Sequence, residues 1–290
     1  MRQRRLTDLL SDTAIVMITC ERAWMTRLCA LAALMFSADR AKFLVLDDHS
    51  EDLRLTTWFE TLAAEGVLEF HRAEKNIGIG RMRRWEGTFC SQDDWPEYTV
   101  TMDSDMLVGP SSFHLLMDAY RYWERNGKVL GTLGAYGQKQ TPEFTDAPYQ
   151  LLDRFCDVCL YATRSDLFAK YRDSMSSRRR RPFTQITYKM RKAGHERSLC
   201  VSPQIPIAHI GKVDALIGLY AQGKPPSYWG AMPPLNPLPM LFDPVAFEVG
   251  YPDSARELYA RLRDENDNAR LGWALMKADD AAWKVDEYAV

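Results

Sequence analysis

Between residues 14 and 105 the hydrophobic pattern changes period repeatedly, and that alternation leaves few folds open to the chain. Ala14-Ile15-Val16-Met17-Ile18 is a short continuous apolar run rich in β-branched residues, the composition of a strand buried on both faces. Over residues 23–37, Trp24, Leu28, Leu31, Leu34 and Met35 then recur at helical spacing, with Arg22 and Arg27 off that stripe. Phe43-Leu44-Val45-Leu46 repeats the strand pattern, and residues 52–62 repeat the helical one. Residues 68–70 read as a weaker third strand, followed by a loop at 76–80 and a helix over about 81–90. Tyr98-Thr99-Val100-Thr101-Met102 makes a fourth strand. Strands separated by helices, with polar residues bunched where the strands end, predict an open, mostly parallel α/β sheet that takes ligand along its carboxyl edge.

The rhythm loosens after Pro110. Residues 112–125 read as a helix and 129–135 and 158–162 as strands, while prolines and glycines dominate 223–244 and a helical pattern covers 254–282. Three regions follow: a ligand-binding half at 1–110, an α+β half of the same domain at 111–222, and an irregular segment with a helical extension at 223–290.

At 46% hydrophobic and 26% charged residues the chain has an ordinary globular composition. A net charge of -2 argues against a general nucleic-acid-binding surface and leaves any anionic partner to a local patch, of which Arg178-Arg179-Arg180-Arg181 is the visible one. The cysteines, at 20, 29, 90, 156, 159 and 200, form no regular framework and read as reduced thiols; Cys156 and Cys159 lack two further zinc ligands at suitable spacing. The most apolar early stretch, 28–36, is far short of the ~20 residues a bilayer span requires. The basic N-terminus is interrupted by Asp8 and Asp12, unlike a secretory signal, so cytoplasmic residence is the expectation.

Candidate chemistry collects at the strand ends. Thr19 and Glu21 follow the first strand, Asp47 and Asp48 the second, and Asp103-Ser104-Asp105 the fourth. Carboxylates at alternate positions let one hold a divalent cation while the other reaches it through water or a ribose. Taken alone, an acidic pair at a strand end is as often a surface loop; the position on the fourth strand of a βα array favours the ligand reading.

These motifs, in order, resemble the nucleotide-binding half of the glycosyltransferase A fold, and within it family 2. Ile18-Thr19-Cys20-Glu21-Arg22 resembles the opening strand-end loop, and Val45-Leu46-Asp47-Asp48-His49-Ser50-Glu51-Asp52 the base and ribose signature. Asn76-Ile77-Gly78 with Arg83 resembles the segment after the third strand, and Met102-Asp103-Ser104-Asp105 the acidic metal motif. The resemblance implies a sugar transferase using a nucleoside-diphosphate sugar, UDP-sugar favoured, with Thr19, Glu21, Arg22, Asp47, Asp48, Asn76, Arg83 and Asp103 in the donor site. Asp47 would accept from the uracil imide or a ribose hydroxyl, and Arg83 would offer paired donors to base or diphosphate. The plainer readings are that Asp48 caps the next helix and that Asn76 only supports a turn. Asp103 and Asp105 would hold Mn²⁺ or Mg²⁺, with His209 falling where many relatives complete the metal's coordination.

The second half resembles the family more thinly, through Leu160 to Phe168 and through Tyr188 to His195. It also departs from it. Inverting members carry an acidic pair just before the late helix, whereas Arg181-Pro182-Phe183-Thr184-Gln185 contains no acid. Asp153 and Asp157 are then the nearest candidates for the base that deprotonates the acceptor, unless the enzyme retains configuration or is an inactive relative. Arg178, Arg179, Arg180, Arg181 and Trp229 are expected on the acceptor side. They suit an anionic acceptor such as modified DNA, a phosphorylated glycan or a lipid-linked phosphate, and the compact chain resembles phage enzymes that glycosylate hydroxymethylated bases. Two alternatives stand beside this: a nucleotidyltransferase, whose glycine-rich, lysine-bearing loop is absent from residues 19–24, and a nucleotide-sugar-binding protein without turnover.

Overall fold

A computed structural model describes residues 9–21, 23–37, 41–109, 112–135, 149–152, 160–175, 182–201 and 207–209, with 274–275, 277–278, 280–282 and 285 near the C-terminus. In chain order the elements are β1 (Thr13–Thr19), α1 (Ala23–Ser37), β2 (Lys42–Asp47), α2 (Leu53–Ala64), β3 (Glu69–Arg72), α3 (Ile79–Phe89), β4 (Tyr98–Asp103), β5 (Met106–Val108) and α4 (Ser112–Arg125). There follow β6 (Leu130–Ala135), β7 (Gln150–Leu152), β8 (Leu160–Arg164), α5 (Ser165–Tyr171), a 3-10 turn at Arg172–Ser174, α6 (Pro182–Lys192), β9 (Glu196–Val201) and β10 (Ile207–His209).

Among the described residues, eight strands form one sheet in the order β3-β2-β1-β4-β8-β6-β9-β7. β3, β2, β1 and β4 run parallel, and β8 joins β4 antiparallel. β6 pairs antiparallel with β8 and parallel with β9. The result is the open, mostly parallel α/β sheet flanked by helices that the sequence predicts, and it runs from the first half of the chain into the second. β10 and β5 make a separate antiparallel ribbon.

Strand alternation divides the core between the faces of the sheet. Ile15 and Met17 of β1, Phe43 and Val45 of β2, and Val100 and Met102 of β4 join one cluster with α1, α2 and α4. Ala14, Val16, Ile18, Leu44 and Leu46 face the other way, against α3, α5 and α6. Ala274, Leu275, Ala278 and Ala282 are buried in the first cluster, and Lys277 Nζ lies 2.8 Å from Glu65 Oε1 at the end of α2. The remainder of the helical stretch expected over 254–282 is outside the described residues.

Local chemistry sets the element ends. Asp52 caps α2 by accepting from the Arg54 amide at 2.9 Å. α6 stops before Gly194, whose φ of 88° closes the turn without a Cβ penalty. Gly87 lets α3 approach the 3-10 turn closely: a Cβ there would stand 2.5 Å from Arg172 Cβ. The late helix also begins earlier than its resemblance suggests, so Pro182 to Gln185 form its first turn rather than a loop before it, and that turn holds no acid. Among the described residues no helix is long and apolar enough to cross a membrane.

Candidate functional site

The strand order reverses at β1, which is flanked by β2 on one side and β4 on the other. In open α/β sheets such a switch point leaves a crevice outside the carboxyl ends of the strands, because the following loops diverge to opposite faces. The registers align those ends: Thr19 lies opposite Asp47, Ile18 opposite Asp103, and Asp47 opposite Arg72. Residues far apart in sequence are thereby drawn to one edge.

The loop after β1 and the loop after β2 are built as a pair. Each holds a non-glycine residue in the left-handed region, Glu21 at φ 58° and His49 at φ 61°. Such conformations persist only where surrounding bonds determine them. Here the Glu21 amide donates to Ser50 Oγ at 2.8 Å, Glu21 Oε1 accepts from the Glu51 amide at 2.6 Å, and His49 Nδ1 lies 3.1 Å from the Ala73 carbonyl.

Asp47 is fully buried, and its partners come from the protein. Thr19 Oγ1 donates to it at 2.8 Å, the Ser50 amide at 2.9 Å and Ser50 Oγ at 2.5 Å, while Arg72 Nε stands 3.5 Å away. Its carboxylate organises both loops. Asp48 does not cap α2; its two oxygens accept from the Ile77 and Gly78 amides at 2.6 and 2.8 Å, pinning the loop that leads into α3. Asn76, exposed, donates to Cys20 Sγ at 3.3 Å. Burial, then Asp48, Glu21 and Asp47, raise the Cys20 thiol above its usual range, so it stays protonated.

Beneath the end of β4 lies a buried ionic cluster. Thr99, Thr101 and Asp103 share one face of the strand, and α3 covers it. Arg83, only 4% exposed, donates from Nη2 to Asp103 Oδ1 at 2.5 Å and from Nη1 to Glu86 Oε2 at 3.1 Å, with its guanidinium carbon 5.7 Å from the centre of the Tyr161 ring. Glu86 is fully buried and also accepts from the Thr101 hydroxyl. Burial pushes the Glu86 carboxyl above its usual range, while Arg83 and Thr101 hold it down. Glu86 and Tyr161 were missed in the sequence. Glu86 gave one local signal, an acid three residues beyond Arg83 on the same helix; Tyr161 gave none, because its strand meets β4 only through the sheet.

Asp103 remains about a third exposed, and Asp105 follows in the turn to β5. Burial first and the charge of Asp105 second raise the Cys29 thiol of α1. The β5–β10 ribbon sets His209 opposite Met106, beside Asp105 in the chain, so the backbone carries the third expected ligand to the same turn. Two carboxylates with a histidine nearby are a donor set suited to a hard or borderline divalent ion. Among the described side chains, which do not include that of His209, no group of three or more His, Cys, Asp or Glu is gathered. Arg22, Asp153, Asp157, Arg178, Arg179, Arg180, Arg181 and Trp229 are outside the described residues.

No family model matches the sequence, and no curated protein matches it. Among solved structures, S. aureus TarS 1-349 in complex with UDP-GlcNAc is 15% identical with a TM-score of 0.47, covering 67% of this chain and 56% of that one. GalNAc-T7 with UDP, GalNAc and Mn²⁺ is 12% identical with a TM-score of 0.49, covering 66% and 42%. The mannosyltransferase PcManGT from Pyrobaculum calidifontis, in complex with GDP-Man and Mn²⁺, is 13% identical with a TM-score of 0.45, covering 96% and 88%. Likenesses this distant assign no substrate, metal or residue role to the chain; its strand order and the parallel run β3-β2-β1-β4 define an open, mostly parallel α/β fold.

Proposed function

We propose that the chain is a glycosyltransferase that moves a sugar from a nucleoside-diphosphate sugar, with UDP-sugar favoured, to an acceptor hydroxyl in a reaction that depends on a divalent cation. The observation that carries this reading is the pairing of Arg83 with Asp103 at the switch point, on a turn that also bears Asp105. A fixed cation and two carboxylates at a sheet crevice are what binding and stabilising a departing diphosphate requires. UDP and Mn²⁺ in GalNAc-T7, and GDP-Man and Mn²⁺ in PcManGT, are compatible with it.

In this reading Asp103 and Asp105, with His209, hold Mn²⁺ or Mg²⁺. The ion, when bound, neutralises charge on the leaving diphosphate. Arg83, expected from the sequence to face base or diphosphate, is buried and spends Nη1 on Glu86 and Nη2 on Asp103, so it serves the site by fixing Asp103. Asp47 acts by organising the crevice wall, because its oxygens already serve Thr19 and Ser50, and base and ribose contacts fall to the exposed edges of Glu21, Asn76 and their loops. The acid-free first turn of α6 leaves the acceptor proton to Asp153 or Asp157, or to a retaining mechanism. The run Arg178–181 favours an anionic acceptor, with modified DNA among the candidates.

The test is a thermal-shift screen of UDP, GDP, dTDP and CDP and their sugars, with and without Mn²⁺. A ligand at 100 times its Kd adds roughly 2.7 kcal/mol to the native state. One nucleotide family should shift the transition only with metal, and both chelator and Asp105→Ala should abolish the shift. No shift with any nucleotide would overturn the reading.

A further inference from the structure

Glu86 has no direct route to a ligand at the carboxyl edge: it is fully buried on α3, behind Arg83. Its isolation from water is nevertheless expensive, and a buried ion pair is a poor stabiliser compared with apolar residues of similar volume. Its contacts point to a different role. One Glu86 oxygen accepts from Thr101 and the other from Arg83 Nη1, so the carboxylate is fixed at both ends. The planar guanidinium is therefore fixed too, with its other nitrogen on Asp103 Oδ1 at 2.5 Å and its face toward Tyr161 at 5.7 Å.

We propose that Glu86 is a positioning residue for Asp103, acting through Arg83 to set both the rotamer of that aspartate and the negative charge it offers a divalent cation. This rests on the donor-site reading above. Two carboxylates share one guanidinium, which leaves the cluster with an excess negative charge, and Asp103, the more exposed of the two, carries it toward the crevice. Were Glu86 neutral, the full charge of Arg83 would fall on Asp103, and an incoming cation would compete with an undivided ion pair.

The experiment titrates Mn²⁺, alone and with UDP, reading free Mn²⁺ by electron paramagnetic resonance; it needs no turnover. Glu86→Gln keeps the shape, with its amide oxygen accepting from Arg83 and its NH2 donating to a Thr101 hydroxyl that turns to accept, so circular dichroism and the urea midpoint should stay near wild type while the Mn²⁺ Kd rises on the order of 10-fold, the range found when the partners of metal ligands are changed. Thr101→Val leaves the charge but frees one Glu86 oxygen, and should give a smaller rise. Glu124→Gln removes a half-buried carboxylate at the opposite end of β4, where it accepts from Tyr98 at 3.0 Å, and should leave the Kd unchanged. If wild type binds Mn²⁺ and both Glu86→Gln and Thr101→Val bind it equally well, Glu86 has no positioning role. An equal loss in Glu124→Gln would reduce the effect to net charge and also overturn it. If wild type shows no Mn²⁺ binding with or without UDP, the donor-site reading fails and this inference goes with it.

Discussion

Replacing Arg83 by methionine removes the guanidinium paired with the Glu86 carboxylate, which has no solvent exposure, and the consequence is quantifiable. Left charged, Glu86 would keep one hydrogen bond from Thr101 and lose its ion pair, a change that costs about 3–5 kcal/mol in a buried setting. Protonation limits that penalty. From an ordinary glutamate pKa of ~4.3, taking up a proton at pH 7 costs roughly 3.7 kcal/mol, and at pH 5 about 1 kcal/mol. The sign follows from the direction of the shift. Burial already raises the Glu86 carboxyl, and without Arg83 it rises further, so the stability associated with its neutral form is present at low pH and is lost as pH rises through the raised value. Arg83→Met should therefore be destabilised by roughly 3–4 kcal/mol at pH 7 and only about 1 kcal/mol at pH 5. The assay is urea unfolding at both pH values. Arg83→Met/Glu86→Leu, which removes both charges, should recover most of the loss at pH 7, because a buried pair replaced by apolar groups is close to neutral. A loss at pH 7 below about 1 kcal/mol, an equal loss at both pH values, or a double variant less stable than the single would each refute the reasoning.

Two further outcomes test the scaffold around the site. Asp48→Ala removes the acceptor of the Ile77 and Gly78 amides, so both should lose hydrogen-exchange protection, with a destabilisation of about 3–6 kcal/mol for two charge-assisted bonds; unchanged protection would show that Asp48 does not pin the loop. Gly87→Ala places a Cβ against Arg172 Cβ, an atom close to the backbone with little freedom to move, so overpacking of about 1–3 kcal/mol should exceed the helix-propensity gain of about 1 kcal/mol and lower the urea midpoint. A raised midpoint would mean that the 3-10 turn yields freely.

Much of the first 110 residues was legible in the chain because the signals there are local. β1 and β2 carry continuous apolar runs of the length buried parallel strands require, β4 shows a β-rich Tyr-Thr-Val-Thr-Met alternation, and α1 and α4 show their full extent through periodicity. β5, β7 and β10 have three residues each, too few to express a period, and β9 opens with Glu196-Arg197-Ser198, which reads as a loop until its partners are known. Strand direction is equally silent: nothing in Leu160-Tyr161-Ala162-Thr163-Arg164 says that it runs against β4.

The same division holds in the site. By itself the sequence determined which polar residues arrive at the carboxyl edge, since each follows directly from the strand that delivers it: Thr19, Asp47, Asp48 and Asp103. Tertiary structure decided what each one does there. Asp47 turned inward to Thr19, Ser50 and Arg72, Asp48 reached across to the amides before α3, and Arg83 was divided between Glu86 and Asp103. A carboxylate's role is set by the donors within about 3 Å of it, and several of those here, Thr19 on Asp47, the Ile77 and Gly78 amides on Asp48 and Arg83 on Asp103, lie 20 to 30 positions away in the chain, where only the tertiary fold brings them near.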